Sequence, residues 1–200
     1  MDPDSQSTSS VSRTNMAGET GKFPHIEGGH HYLVLYPNMQ KLSNIYYQYI
    51  MGQIEEQPDS VILVLPYYLT SQKVREILNS DGIQVSELER KGSLVIVDIE
   101  KVINSSYFEL TDVQGLEGFT KYIENSQQGK PILVVADMSV FKHLDKPKQV
   151  LEYERTLHKE QRERKWKELC LYNERDFKAM FTQQEINELL DYHKDKVVTV

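Results

Sequence analysis

Two hundred residues, 39% of them hydrophobic, can form one domain with a sizeable core and are too few for two ordinary ones. A formal charge of -7 argues against a direct nucleic-acid binder, which needs a concentrated positive surface to neutralise phosphates. The single cysteine, Cys170, excludes an internal disulfide and a cysteine-only zinc site, and no apolar run approaches the roughly 18 residues of a membrane span, so the expectation is a cytoplasmic protein without a membrane partner.

Residues 1–28 hold Ser, Thr, Asp, Gly and Asn with hardly an apolar cluster, which predicts a flexible tail ahead of a domain over 29–200. Tyr32 to Tyr36 reads as a first strand. Leu42, Ile45, Tyr46, Tyr49, Ile50 and Ile54 then recur at spacings of three and four, the period of one helix face. The unbroken VILVL at 61–65 predicts a strand buried on both sides. A helix with Val74, Ile77 and Leu78 inward follows, closed at Asp81-Gly82. Ser86 and Glu89 have the spacing of a capping box for a short helix that stops at Gly92, and a third strand runs over 94–97 to Asp98.

Thr111 and Gln114 repeat the capping-box spacing before a helix carrying Leu116, Phe119 and Ile123, with Gly129 just past its end. A fourth strand, ILVVA at 132–136, ends on Asp137. A helix over 148–161 with Val150, Leu151, Tyr153 and Leu157 comes next, then a strand at 168–172, a helix from Thr182 with Glu185 in the capping box, and a last short run, VVTV. This alternation predicts an α/β fold of three layers, a mostly parallel sheet with helices on both faces.

The strand ending on Asp137 has the form of a magnesium-holding Walker B strand, but the turn that should cradle phosphates does not match it. A P-loop needs glycines, backbone donors and adjacent Lys and Ser/Thr. The first strand is followed by Pro37-Asn38-Met39-Gln40-Lys41-Leu42-Ser43, which has no glycine, loses a donor at Pro37 and separates Lys41 from Ser43. The GETGKF stretch at 18–23 has the wrong glycine spacing and Phe23 where Ser/Thr belongs, and reads as linker.

GGHHYLVLY (28–36), VSELERKGSLVIVD (85–98), ILVVADMS (132–139), VLEYERTL (150–157) and ELCLYNERDF (168–177) resemble, in sequence and order, the MEDS domain of methanogens, methylotrophs and the DcmR sensory protein, over about residues 28–200. The resemblance implies a relative of the KaiC/RecA fold with a degenerate P-loop. It further implies a sensory module for small hydrocarbon derivatives, of a kind often attached to DNA-binding or histidine-kinase domains. Asp137 stands where many members carry Glu. The sequence ends at Val200 without an output domain, so the signal is expected to pass to a separate signalling partner such as a histidine kinase or a transcription regulator.

Ligands of parallel α/β sheets sit outside the carboxyl ends of the strands. The residues there are Tyr36, Tyr67, Tyr68, Asp98, Asp137 and Tyr172, a mix of rings and acids suited to a small amphipathic or cationic organic molecule, with methylated and halogenated compounds among the candidates. The alternative is that the tyrosines pack loops and the acids cap helices. His30, at the entrance of the first strand, and Glu154, spaced three and four from Leu151 and Val150, are added as residues that could shape the pocket. Glu152 cannot face the same side as Glu154.

His25, His30 and His31 lie near Glu27, but adjacent strand residues point to opposite faces, so no metal site is assigned. Cys170 in mid-strand reads as an inert buried thiol. No catalytic group and no cofactor are expected, since nothing resembles a triad or a nucleophile at a strand-to-helix elbow. Two other functions stay open. One is a divergent nucleotide-binding protein or ATPase using Asp137 for magnesium and Lys41 for phosphate. The other is an interaction module built on residues 142–167, which hold nine Lys/Arg against five Asp/Glu, though a solvated helix face explains those charges as well.

Overall fold

A computed structural model of the chain describes residues 14–15, 31–104, 113–127, 129–160, 166–193 and 197–199. Its strands are β1 (Thr14–Asn15), β2 (His31–Tyr36), β3 (Val61–Leu65), β4 (Leu94–Ile96), β5 (Ile132–Asp137), β6 (Lys167–Asn173) and β7 (Val197–Thr199). They form one sheet in the order β1-β7-β2-β6-β5-β3-β4, and every pairing is parallel. The helices are α1 (Met39–Glu56), α2 (Ser71–Ser80), α3 (Val85–Arg90), α4 (Ile99–Ile103), α5 (Val113–Ser126), α6 (Val140–His143), α7 (Pro147–Glu160), α8 (Glu174–Met180) and α9 (Gln183–His193). No described helix is long and apolar enough to cross a membrane.

Because side chains alternate along a strand, each strand feeds two cores. Val34, Ile62, Val64, Leu133, Val135, Leu169 and Leu171 point to the first face, where Leu42, Ile45 and Ile50 of α1, Val74 and Leu78 of α2 and Val85 of α3 cover them. Leu33, Leu63, Leu65, Val134, Ala136 and Cys170 point to the second face, packed by α4, α5, α6, α7, α8 and α9 through residues such as Val102, Leu116, Phe141, Val150, Phe177 and Leu189. The three-layer α/β reading holds. Leu63 is fully buried in the central part of the sheet, and cutting such a side chain back to Ala typically costs about 2–5 kcal/mol.

Several local expectations need correction. The Ser86–Glu89 capping box does not form: α3 starts at Val85 after Gln84, which makes no side-chain cap. Burial of Val85 fixes the earlier start, and Glu89 accepts instead from Arg75 Nε at 2.9 Å, while Arg75 also donates to the Ile96 carbonyl. Ile54 and Ile77 are half-buried, and Gln53 takes the inward place on α1. The short helices α4, α6 and α8 were not expected, because four to seven residues carry too little periodicity to be read.

Other features follow the sequence. Thr182 and Glu185 do exchange their capping-box bonds, with Thr182 N donating to Glu185 Oε2 at 2.8 Å and Glu185 N to Thr182 Oγ1 at 3.3 Å. Gly92 and Gly129 end their helices at φ of 70° and 78°, where glycine is the residue of least strain. Thr111, the side chain of Gln114, and the tail apart from Thr14–Asn15 lie outside the described residues. Thr14 and Asn15 themselves pair with Val198 and Thr199 at the sheet edge.

Candidate functional site

The connection from β2 to α1 is only Pro37 and Asn38. Asn38 caps α1 itself, its side-chain oxygen accepting from Lys41 N at 3.0 Å, so the amide that a phosphate would use is taken. Ser43 donates its hydroxyl to the Met39 carbonyl at 2.9 Å, and Lys41 is exposed on the first turn. Ser43 is thus engaged locally, and Lys41, the phosphate residue of the nucleotide alternative, is turned to solvent.

Chain crossovers place a crevice at the carboxyl ends. The segments leaving β2 and β3 pass to the first face as α1 and α2, whereas those leaving β5 and β6 pass to the second face as α6 and α8. The neighbouring pairs β2/β6 and β5/β3 therefore diverge, which is where ligands of such sheets bind.

Asp137 is the buried centre of this region. Its Oδ2 accepts from the Tyr36 hydroxyl at 3.0 Å and from Tyr68 N at 3.4 Å, and its Oδ1 accepts from Ser139 N at 3.2 Å. Ser139 in turn accepts from Asn173 N at 2.9 Å, tying the end of β6 to that of β5. Burial pushes the Asp137 carboxyl up to about 6, against the opposing pull of the Ser139, Tyr68 and Tyr36 hydrogen bonds. Burial and the Asp137 charge push the Tyr36 and Tyr46 phenols well above their ordinary value. Tyr46 is fully buried and its hydroxyl has no hydrogen-bond partner among the described residues, an unsatisfied donor that costs on the order of 1–3 kcal/mol.

Above Asp137, Tyr67, Tyr68 and His143 form a ring cluster, with Tyr67 centred 5.2 Å from Tyr68 and 5.1 Å from His143. Both tyrosines are half-buried and His143 is exposed. The Tyr68 hydroxyl donates to Asp176 Oδ2 and lies 3.1 Å from His143 Nε2, while Lys142 Nζ donates to Asp176 Oδ1. Burial first, then the charges of Glu100, Asp137 and Asp176, pushes the Tyr67 phenol up, so the surroundings of its ring are negative. Asp98 plays a different part: it accepts from Ser71 N at 2.6 Å and pairs with Lys101 at 3.0 Å, joining α2 to α4. Burial raises its carboxyl, and the bonds from Ser71 and Lys101 outweigh that and hold it low.

Tyr172 and Glu154 sit on the other face of the sheet. The Tyr172 hydroxyl donates to Glu154 Oε1 at 2.5 Å, and Glu154 Oε2 lies 3.4 Å from both His31 Nε2 and His193 Nε2. His31, Glu154 and His193 are 2%, 0% and 1% exposed, so the group is sealed from water. Burial raises the Glu154 carboxyl, but His193 and His31 outweigh it and hold the group well below the ordinary range. Cys170, two residues before Tyr172, is buried, and desolvation followed by the charges of Glu154 and Glu168 pushes its thiol well up, as expected for an inert cysteine.

Sequence-based expectations thus separate into three places. Tyr36, Tyr67, Tyr68 and Asp137 come together at the crevice, Asp98 serves a helix junction, and Tyr172 and Glu154 lie on the second face. His30 lies outside the described residues. Asp176, His143 and His193 are not singled out by the sequence, the first two because they lie on short helices, and His31 is weighed there only beside His25 and His30 and set aside. In the basic segment, Lys142 is bonded to Asp176, Arg155 to Glu188 at 2.8 Å, and Lys167 is buried, so part of that charge is used internally.

No curated protein matches the sequence. Among solved structures, a KaiC-like protein of the hyperthermophilic archaeon Pyrococcus horikoshii OT3 is similar at 15% identity with a TM-score of 0.54. The match covers 73% of this chain and 62% of that protein, so less than two thirds of its length, and establishes the fold alone. A family model described as MEDS, the methanogen/methylotroph, DcmR sensory domain, matches residues 30–194. On this match, and with an all-parallel KaiC-like sheet beneath it, the chain belongs to the MEDS family of sensory domains.

Proposed function

We propose that the chain is a non-catalytic sensory module that binds a small methylated organic cation in the crevice at the carboxyl ends of β3, β5 and β6 and passes the signal to a partner protein such as a histidine kinase or a transcription regulator. The observation that carries this reading is the ring cluster of Tyr67, Tyr68 and His143 set over the buried acids Asp137 and Asp176. Ring faces attract a methylated cation through their quadrupoles, and acids behind them add long-range attraction. The orphaned Tyr46 hydroxyl beneath gives a polar ligand group or a water something to bond. Against a nucleotide stand the two-residue β2–α1 connection and the Asn38 cap.

The test is a thermal-shift screen of the purified chain against methylated amines, methyl sulfides, halocarbons and magnesium-ATP. A ligand at a hundred times its dissociation constant adds about 2.7 kcal/mol, several degrees in a domain of this size. A shift with methylated amines that Tyr68→Ala removes is expected. A shift with magnesium-ATP alone would replace this reading with the nucleotide one, and no shift with any compound would favour a module that works through protein contacts only.

A further inference from the structure

Beneath the second face of the sheet, His31 at the start of β2, Glu154 in α7 and His193 at the end of α9 converge with their ligand atoms all within 4.8 Å of one another. We propose that these residues form a zinc site, with His31 Nε2, Glu154 Oε2 and His193 Nε2 as the three protein ligands and a water in the fourth position.

Distance is the first argument. Glu154 Oε2 lies 3.4 Å from each imidazole Nε2. A charge-assisted hydrogen bond between imidazolium and carboxylate would close to about 2.7–2.9 Å. Ligand atoms of a tetrahedral zinc ion, each about 2.0–2.1 Å from the metal, stand about 3.4 Å apart along the tetrahedron edge. The two spacings from Glu154 match that edge and exceed an ordinary charge-assisted hydrogen bond, while the imidazole nitrogens, within 4.8 Å of each other, close to about the same edge when the ion binds.

The second argument is the state of the ligands. His193 Nδ1 lies 2.6 Å from the Leu189 carbonyl, which can only accept, so Nδ1 carries a proton and Nε2 is the nitrogen that faces Glu154. In the Nδ1–H tautomer the Nε2 lone pair faces a carboxylate in a sealed interior, an arrangement that a cation between them makes favourable. Glu154 is held from behind by the Tyr172 hydroxyl on Oε1, leaving Oε2 for the cluster. A backbone carbonyl on the outer nitrogen of a histidine and a hydroxyl on the outer oxygen of a carboxylate are the supports that metal ligands ordinarily have.

Donor chemistry decides among cations. Two imidazoles and one carboxylate favour zinc over magnesium or calcium, which take oxygen ligands in greater number. The ion would pin the first strand of the domain to α7 and to the end of α9, a tether independent of the crevice.

The experiment uses the full chain, free of any affinity tag, stripped with a chelator and titrated with zinc chloride. Metal content after gel filtration, melting temperature and the visible spectrum with cobalt(II) are measured. Expected are one retained zinc per chain, a melting temperature that rises with zinc and falls with chelator, and the intense visible bands of tetrahedral cobalt. His193→Gln should abolish retention, and Tyr172→Phe, which keeps all three ligands, should weaken zinc binding about 10- to 100-fold. A stripped wild-type chain that retains no zinc and melts unchanged in its presence overturns the proposal without any variant. Zinc retained equally by His193→Gln and Tyr172→Phe overturns it too, since the ion would then sit elsewhere.

Discussion

Two regions of this molecule handle polar groups in opposite ways. At the crevice on the carboxyl ends, Asp137 is buried but bonded mainly by neutral donors, so its carboxyl rises to about 6, while Tyr67 and Tyr68 remain half-open to solvent. On the second face Glu154 is equally buried, yet its two histidine neighbours hold it ionised, and nothing in the group reaches water. One arrangement leaves charge uncompensated beside an open ring cluster, as a receptor for a cation requires. The other encloses an acid between two histidines away from water, as a structural tether requires.

The largest expected effect breaks the second arrangement. Glu154→Ala removes the shared partner of Tyr172, His31 and His193, and should lower stability by about 3–5 kcal/mol in chemical denaturation. A loss under about 1 kcal/mol would mean that the group is not coupled as described.

Next comes a pH test of the crevice. Asp137 has a folded value near 6 against the ordinary 3.8. Its protonated form is the one the fold prefers, so the stability it contributes is fully present below about pH 4 and is lost as pH rises through 6. That loss is about 3 kcal/mol for the wild type. Asp137→Asn should flatten this part of the stability profile, and an unchanged slope would assign it to another group. By the same linkage, affinity for an organic cation should rise between pH 5 and 7 in the wild type and not in the variant.

Tyr68→Phe keeps the ring and removes the hydroxyl that joins Asp176 and His143. A stability loss of about 1 kcal/mol is expected, with retention of cation binding if the ring face is what binds. The smallest effect, also about 1 kcal/mol and remote from both regions, is Thr182→Ala, which removes the α9 cap without changing ligand or metal affinity.

Much of this organisation is legible in the sequence. Unbroken runs such as VILVL and ILVVA announce strands buried on both sides, and a strand's end identifies the residues nearest the crevice, which is how Tyr36, Tyr67, Tyr68 and Asp137 are found together. Period alone cannot say toward which face an end residue turns. Tyr172 therefore looked like a crevice residue although the alternation along β6 sends it, with Cys170, to the second face. Glu154 was legible as an inward acid from its helical spacing, but its partners were not. His31 and His193 come from distant elements, and only the three-dimensional packing of β2, α7 and α9 brings them to the same carboxylate. Ser86 shows the converse limit: a correct local signal gives way when burial of Val85 starts the helix earlier.

The most direct test of the account is chemical-shift mapping of the aromatic and histidine side chains as tetramethylammonium chloride is added, with sodium chloride at equal concentration as the control. The account predicts saturable shifts at Tyr67, Tyr68 and His143, with His31 and His193 unmoved. Shifts at His31 and His193 instead, or shifts no larger than those from sodium chloride, would contradict a cation receptor at the carboxyl ends of the strands.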